Sequence, residues 1–155
     1  MAQQAQQAQQ TKRVTYFHVF MNMLTGGRAY QGSPDSPAGF LTLTCTGRKS
    51  GQPRRVHLIY MRDGSDYVVT ASNGGRPRHP GWFFNVRSNP QVSIAVHGTY
   101  NRAVAEVASP EKRRELWPRL VEIAPMYAGY QKRTQREIPM VLLHPSDEPA
   151  AGEPG

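Results

Sequence analysis

The chain of 155 residues has a single cysteine, Cys45, which excludes an internal disulfide and fits a reducing compartment. It has no apolar run near the roughly 20 residues that a membrane-spanning helix needs, and no apolar signal core at its start, so a cytoplasmic protein is expected. No strand–GxGxxG–helix unit and no Walker P-loop occurs, which excludes the two commonest nucleotide-binding designs. HExxH is missing, and no metal-ligand spacing joins His18, His57, His79, His97 and His144, so no metal centre is expected. Acid is scarce where base is abundant. Between residues 36 and 105, nine Lys/Arg residues face only Asp63 and Asp66, which places +7 of the net charge of +8 in that stretch.

The length suits one domain with one core. Residues 1–14 form an Ala/Gln-rich tail and residues 145–155 a tail rich in Pro, Gly and acid; neither has the apolar content to order itself, which leaves 15–144 as the domain. Phe17, Phe20, Met21 and Leu24 recur at helical spacing and end at Gly26 and Gly27. That stripe suits a helix packed on the domain. With Lys12 and Arg13 before it, it also suits peripheral contact with a membrane surface.

The middle reads as a meander of strands. Residues 39–44 alternate Phe40, Thr42 and Thr44 with Leu41 and Leu43, and Cys45 continues the second set, the pattern of a half-buried strand. Residues 55–61 and 66–71 form a hairpin around Asp63 and Gly64, residues 91–97 and 99–107 a second around Gly98, and residues 138–144 a last strand. A short helix is predicted over 80–86, stopped by Asn89 and Pro90. Another starts at Ser109 and Pro110 and buries Leu116, Leu120, Val121 and Ile123. The fold class is α+β and mainly β: about six mostly antiparallel strands in a small barrel, with two to four peripheral helices.

Two loops carry the chemistry. Gly47, Arg48, Lys49, Ser50 and Gly51 put two cations and a hydroxyl on a tight turn between strands, where unpaired amides would also point outward; this suits a phosphate, and it equally suits a solvated basic turn. Arg54 and Arg55 follow, and because adjacent strand residues face opposite sides, at most one of them shares the pocket directly. Ala71, Ser72, Asn73, Gly74 and Gly75 leave the next strand with small residues only. A planar ring can lie on such a backbone and take hydrogen bonds from its amides, although a flexible connector has the same composition. Trp82, Phe83 and Phe84 read as core, one face of Trp82 bordering the pocket; Asn85 either holds a ring edge or caps a loop. The combination points to an anionic, ring-bearing cofactor.

Residues 43–55, 67–75, 79–82 and 127–138 closely resemble the deazaflavin-dependent nitroreductase family of actinobacteria, and the resemblance covers roughly residues 17–144 in order. It implies a split β-barrel that binds coenzyme F420 and reduces quinones, nitroaromatic compounds or other electron-poor acceptors. By the same resemblance, the turn of Arg48, Lys49, Ser50 and Gly51, with Pro53 and Arg54 after it, grips the cofactor phosphate. The deazaflavin is seated along Arg55, Val56, His57 and Leu58 and along Ala71 to Gly75, bordered by Trp82, Asn85 and Tyr127. F420 carries a phosphate and a glutamate tail, a polyanion that matches the concentrated positive charge.

The acceptor side falls on Pro125, Met126, Tyr127, Ala128, Gly129, Tyr130 and Gln131. Tyrosines three apart share a helical face, so both phenols can line one wall and donate to a substrate oxygen; Tyr127 is the first candidate, Tyr130 the second, and Ser72 a third polar group near the ring. Packing of a lid is the plainer role for the tyrosines. Some relatives carry tyrosine where this chain has Ala124, and proline where it has His57. Cys45 falls on the buried strand face, which argues against a catalytic thiol. FMN, another phosphate-bearing tricycle, is the alternative cofactor, as in FMN- or haem-type split barrels. A nucleic-acid-binding module fits less well, because the cations cluster at two glycine loops rather than along a stripe.

Overall fold

The computed structural model describes residues 36–150. The Ala/Gln-rich segment and the predicted helix at 15–24 lie outside them. Six strands, β1 (Ala38–Thr46), β2 (Pro53–Asp63), β3 (Asp66–Thr70), β4 (Gln91–Val96), β5 (Thr99–Val107) and β6 (Met140–Pro149), close into a barrel in the order β1-β2-β3-β6-β5-β4. Every pairing is antiparallel. Three α-helices accompany them: α1 (Gly81–Ser88), α2 (Pro110–Ile123) and α3 (Met126–Lys132).

The turns follow local chemistry. His97 (φ 50°) and Gly98 (φ 77°) are both left-handed, as a tight two-residue hairpin linking β4 and β5 requires. Helix α2 starts where Ser109 accepts the amide of Lys112 at 3.1 Å, with Pro110 in the first turn.

Alternation along the strands builds two cores. Leu41, Leu43, Cys45, Tyr60, Val69, Ile94, Val141 and Leu143 fill the barrel, and Trp82, Phe83 and Val86 of α1 close one end. Ala38, Met61, Val68, Met140 and Leu142 face outward beneath Leu116, Leu120 and Ile123 of α2 and Tyr127 of α3. A strand covered on both faces carries a continuous apolar run rather than alternation, which explains residues 140–143, all buried. Truncating a side chain as enclosed as Leu116 or Leu143 to alanine costs about 2–5 kcal/mol.

One boundary departs from expectation. The last strand was predicted to end at 144, with a tail from 145, but β6 continues to Pro149 against β5. Pro145 falls where the pairing shifts register between Asn101 and Ala103, an irregularity that tolerates a missing N–H. An Arg102–Glu148 ion pair at 3.3 Å lies alongside.

Candidate active site

Strand directions bring the two loops together. β1 and β3 both run antiparallel to β2, so the turn after Thr46 and the loop after Thr70 emerge at the same end of the barrel. The register also opens a gap there. β2 pairs with β1 along Pro53 to Met61, but with β3 only from Tyr60 onward, so the stretch from Pro53 to Leu58 has no β3 partner on its other edge. The loop 71–75 follows β3 at this end of the barrel, where Ala71 donates to the Pro139 carbonyl at 2.9 Å. The stretch of β2 that β3 does not cover and the glycine loop therefore stand at the same end of the barrel.

The basic turn is more internally bonded than expected. Gly47 donates to the Gln52 carbonyl and Gly51 to the Gly47 carbonyl, each at 2.8 Å, and the amides of Arg48 and Gln52 are taken by Asn85 Oδ1 at 3.1 Å and Ser50 Oγ at 3.2 Å. The amides of Lys49 and Ser50 enter none of these bonds. Arg54 Nη2 reaches Ser50 Oγ at 3.4 Å, which draws its guanidinium toward the turn. Arg55 lies across from Thr44 and His57 across from Thr42, whose hydroxyl meets His57 Nδ1 at 2.9 Å; these two side chains share the outer face, opposite Arg54. None of Arg48, Lys49, Arg54, Arg76 and Arg78 pairs with a described carboxylate. Gly51 (φ 69°) faces open space, so the turn's surface is unobstructed.

The glycine loop is shaped by its own backbone, by α3 and by Arg136. Ser72 is right-handed (φ −75°, ψ −36°), and Asn73 (φ 46°) and Gly74 (φ 63°) are left-handed, the sequence of conformations that gathers successive amides into an anion-binding concavity. Asn73 Nδ2 holds the Arg78 carbonyl at 2.9 Å. Gly75 (φ 78°) is pressed against α3, where a Cβ would stand 2.6 Å from the Tyr130 carbonyl oxygen. Arg136 was not foreseen. Its Nη1 donates to the Ala71 carbonyl at 3.2 Å, Nη2 to the Ser72 carbonyl at 2.8 Å and Nε to the Arg76 carbonyl at 2.9 Å, and Nη1 also meets His79 Nδ1 at 2.9 Å. An arginine only donates, so His79 Nδ1 is the acceptor. Burial, with the charges of Arg136 and Arg87, holds the His79 pKa down and the ring neutral, as that bond requires. Nothing in the local sequence separates Arg136 from Arg133; only the tertiary contact reveals it.

Helix α1 braces both loops. Asn85 caps the basic turn through Arg48 and donates from Nδ2 to Cys45 Sγ at 3.7 Å, so both ends of its amide are engaged and the loop-capping role is the one the structure displays. The Arg48 guanidinium lies 4.7 Å from the Phe84 ring centre, and Phe84 in turn touches His79 at 5.7 Å. Trp82 and Phe83 are core, as read from sequence, while Phe84 is only half-buried. Cys45 is buried, and burial pushes its thiol pKa up, which makes it a poor nucleophile.

The tyrosines share a side of α3, their rings edge to face at 5.6 Å. Their exposure differs from expectation: Tyr127 is 6 % exposed inside the second core, whereas Tyr130 is half-buried. Burial, then the neighbouring Tyr130, raises the Tyr127 pKa well above the ordinary phenol value, keeping it protonated. Gln131 ties the end of α3 to the segment bearing Arg136: its Oε1 accepts from Arg113 Nη2 and the Ile138 amide, both at 3.0 Å, and its Nε2 donates to the Arg136 carbonyl at 2.8 Å.

The family model described as F420H2-dependent quinone reductase matches residues 12–145. An F420H2-dependent quinone reductase of Mycobacterium tuberculosis (strain H37Rv) is 41% identical over 122 residues, covering 77% of this chain and 81% of that one. The solved structure of an F420-H2 dependent reductase (FDR-A) is similar at 38% identity and a TM-score of 0.63, over 68% of this chain and 93% of that one. A solved structure described as a domain-swapped dimer is similar at 34% identity and the same TM-score, over 81% and 97%. With a barrel split beside a basic turn and a family match across most of its length, the chain belongs to the F420H2-dependent quinone reductase family.

Proposed function

We propose that this protein oxidises reduced coenzyme F420 and delivers hydride to quinones, with nitroaromatic and other electron-poor compounds as further acceptors. The observation that carries the reading is the convergence, at one barrel end, of a turn whose cations meet no described carboxylate and a loop with gathered amides, in a chain of this family. The donor set fits the coenzyme. Arg48, Lys49 and Arg54 supply positive charge for the phosphate and glutamates, Lys49 and Ser50 add amides, and Ser72, Asn73 and Gly74 offer N–H groups to a ring oxygen. The stretch of β2 that β3 does not cover would add backbone groups, and half-buried Val56 and Leu58 would add apolar surface.

When bound, the reduced deazaflavin supplies a hydride rather than single electrons. The chain's work is then to orient, to exclude water and to place a proton donor. Arg48 and Lys49 anchor the anionic end, so that the loop need only align the ring. Tyr130, the more exposed phenol, stands on the acceptor side and donates to the oxygen on which negative charge develops; Tyr127 packs behind it. Ser72 would offer its hydroxyl to the ring.

The test is oxidation of reduced F420 followed by absorbance, with menadione and a nitroaromatic compound as acceptors. Turnover that requires both the protein and F420, and that FMN does not replace, is the expected result; absence of turnover with every acceptor overturns the reading. The site of action in this proposal is the cytoplasm. Among the described residues no helix is long and apolar enough to cross a membrane. Peripheral contact through residues 15–24 belongs to the same proposal and is checked by vesicle sedimentation with and without that segment.

A further inference from the structure

We propose that Arg136 is a positioning residue that aims the amides of Ser72 and Asn73 at the carbonyl edge of the bound ring. The inference rests on the cofactor reading above and deepens it.

The argument is one of peptide geometry. In a trans peptide the carbonyl of one residue and the N–H of the next point in opposite directions, and the described chain contains no cis bond. Fixing the Ala71 carbonyl on the guanidinium therefore fixes the Ser72 N–H away from it. Fixing the Ser72 carbonyl does the same for the Asn73 N–H. Arg136 thus selects one face of the loop for carbonyls and the other for donors. Without that fork, no described side chain would hold the Ala71 carbonyl on that face.

The guanidinium is itself held. His79 accepts from it, and its backbone carbonyl is gripped by Gln131. Its contacts run to Ala71, Ser72 and Arg76, three points on a planar fork that a lysine ammonium cannot reproduce. No other described side chain bonds the carbonyls of Ala71 or Ser72. The remaining contact there is the Gly75 amide on Ser72 at 2.9 Å, which leaves the direction of the Ala71–Ser72 peptide to Arg136.

The experiment compares two probes: F420 itself and 8-hydroxy-5-deazariboflavin, which has the ring but neither phosphate nor glutamates. Arg136→Ala and Arg136→Lys are measured beside wild type, with Lys49→Ala as the stem-side variant and Arg114→Ala, an exposed cation on α2, as the charge control. Both Arg136 variants are expected to bind both probes at least tenfold more weakly. The absorption maximum of the bound ring should move toward that of the free ring, and the Ser72 and Asn73 amide resonances should lose their ligand-induced shifts. Lys49→Ala should weaken F420 alone. Should Arg136→Ala not fold, the lysine variant, which keeps the aliphatic stem and the charge, carries the test. Wild-type affinity and spectrum for the ring-only probe in a folded Arg136 variant overturns the inference and leaves the cofactor reading standing. A wild-type protein that binds neither probe overturns that reading, and this inference with it.

Discussion

At the scale of the residue, charge left without a partner is the most informative quantity. Lys49 is exposed and has no described carboxylate beside it, which makes it the cation of choice for testing the proposed anion site. Lys49→Ala should weaken F420 binding tenfold or more, as loss of a charge-assisted contact of about 1.5–3 kcal/mol implies, with no change in melting temperature. Titration of the intrinsic fluorescence reads the first and calorimetry the second. On α3, Tyr130→Phe should lower turnover more than Tyr127→Phe, because only the half-buried phenol has access to an acceptor. Steady-state kinetics with menadione separate the two, and the larger loss should fall in kcat. What was legible in the sequence was local: that the cations stand on a turn between strands, that small residues form the loop after β3, and that Cys45 is buried. Arg136 and the ordering of the two tyrosines were not legible, because both depend on which distant surface packs over them.

Among elements, the contact between the glycine loop and α3 sets how far each can move. Gly75 has a left-handed backbone and no room for a methyl group before the Tyr130 carbonyl. Gly75→Ala should destabilise the fold by at least about 1–2 kcal/mol from the backbone conformation alone, with the clash adding to it. Thermal unfolding measures the loss, and cofactor affinity should fall as α3 is pushed off the loop. Most strands were readable because alternation or a glycine turn marked them. The last one was misjudged at its end: Pro145 and the acids after it look like tail composition, and only pairing with β5 makes them strand. Pairing between distant segments leaves no trace in local composition. For the same reason, the gap between β2 and β3 was invisible until the register was known.

For the whole molecule, His144 offers a test of how the barrel responds to pH. It bridges three strands, with Nδ1 on Asp66 of β3 at 2.8 Å and Nε2 on Glu106 of β5 at 2.7 Å. Desolvation alone would lower its pKa, but the hydrogen bonds to Glu106 and Asp66 outweigh it and the pKa is raised. A raised folded-state pKa gives stability that is fully present below the unfolded value near 6.5 and is lost as pH rises through the folded value. The stability advantage of the wild type over His144→Gln should therefore be largest near pH 6 and shrink toward pH 9. Denaturant titrations at several pH values check this, and an advantage that grows with pH would refute it.

The half of β2 that β3 does not cover carries a hazard of its own. An open strand edge is a template on which another polypeptide can add a strand, the first step of sheet-to-sheet aggregation. Arg54 and Arg55 stand on that stretch, and like charges repel an incoming copy of the same edge. The cations thus act as gatekeepers of solubility in the ligand-free protein, a duty distinct from ligand capture. Replacing both with valine should raise the turbidity of the ligand-free protein on standing, and an excess of F420 should not protect it, because the same substitutions weaken its binding.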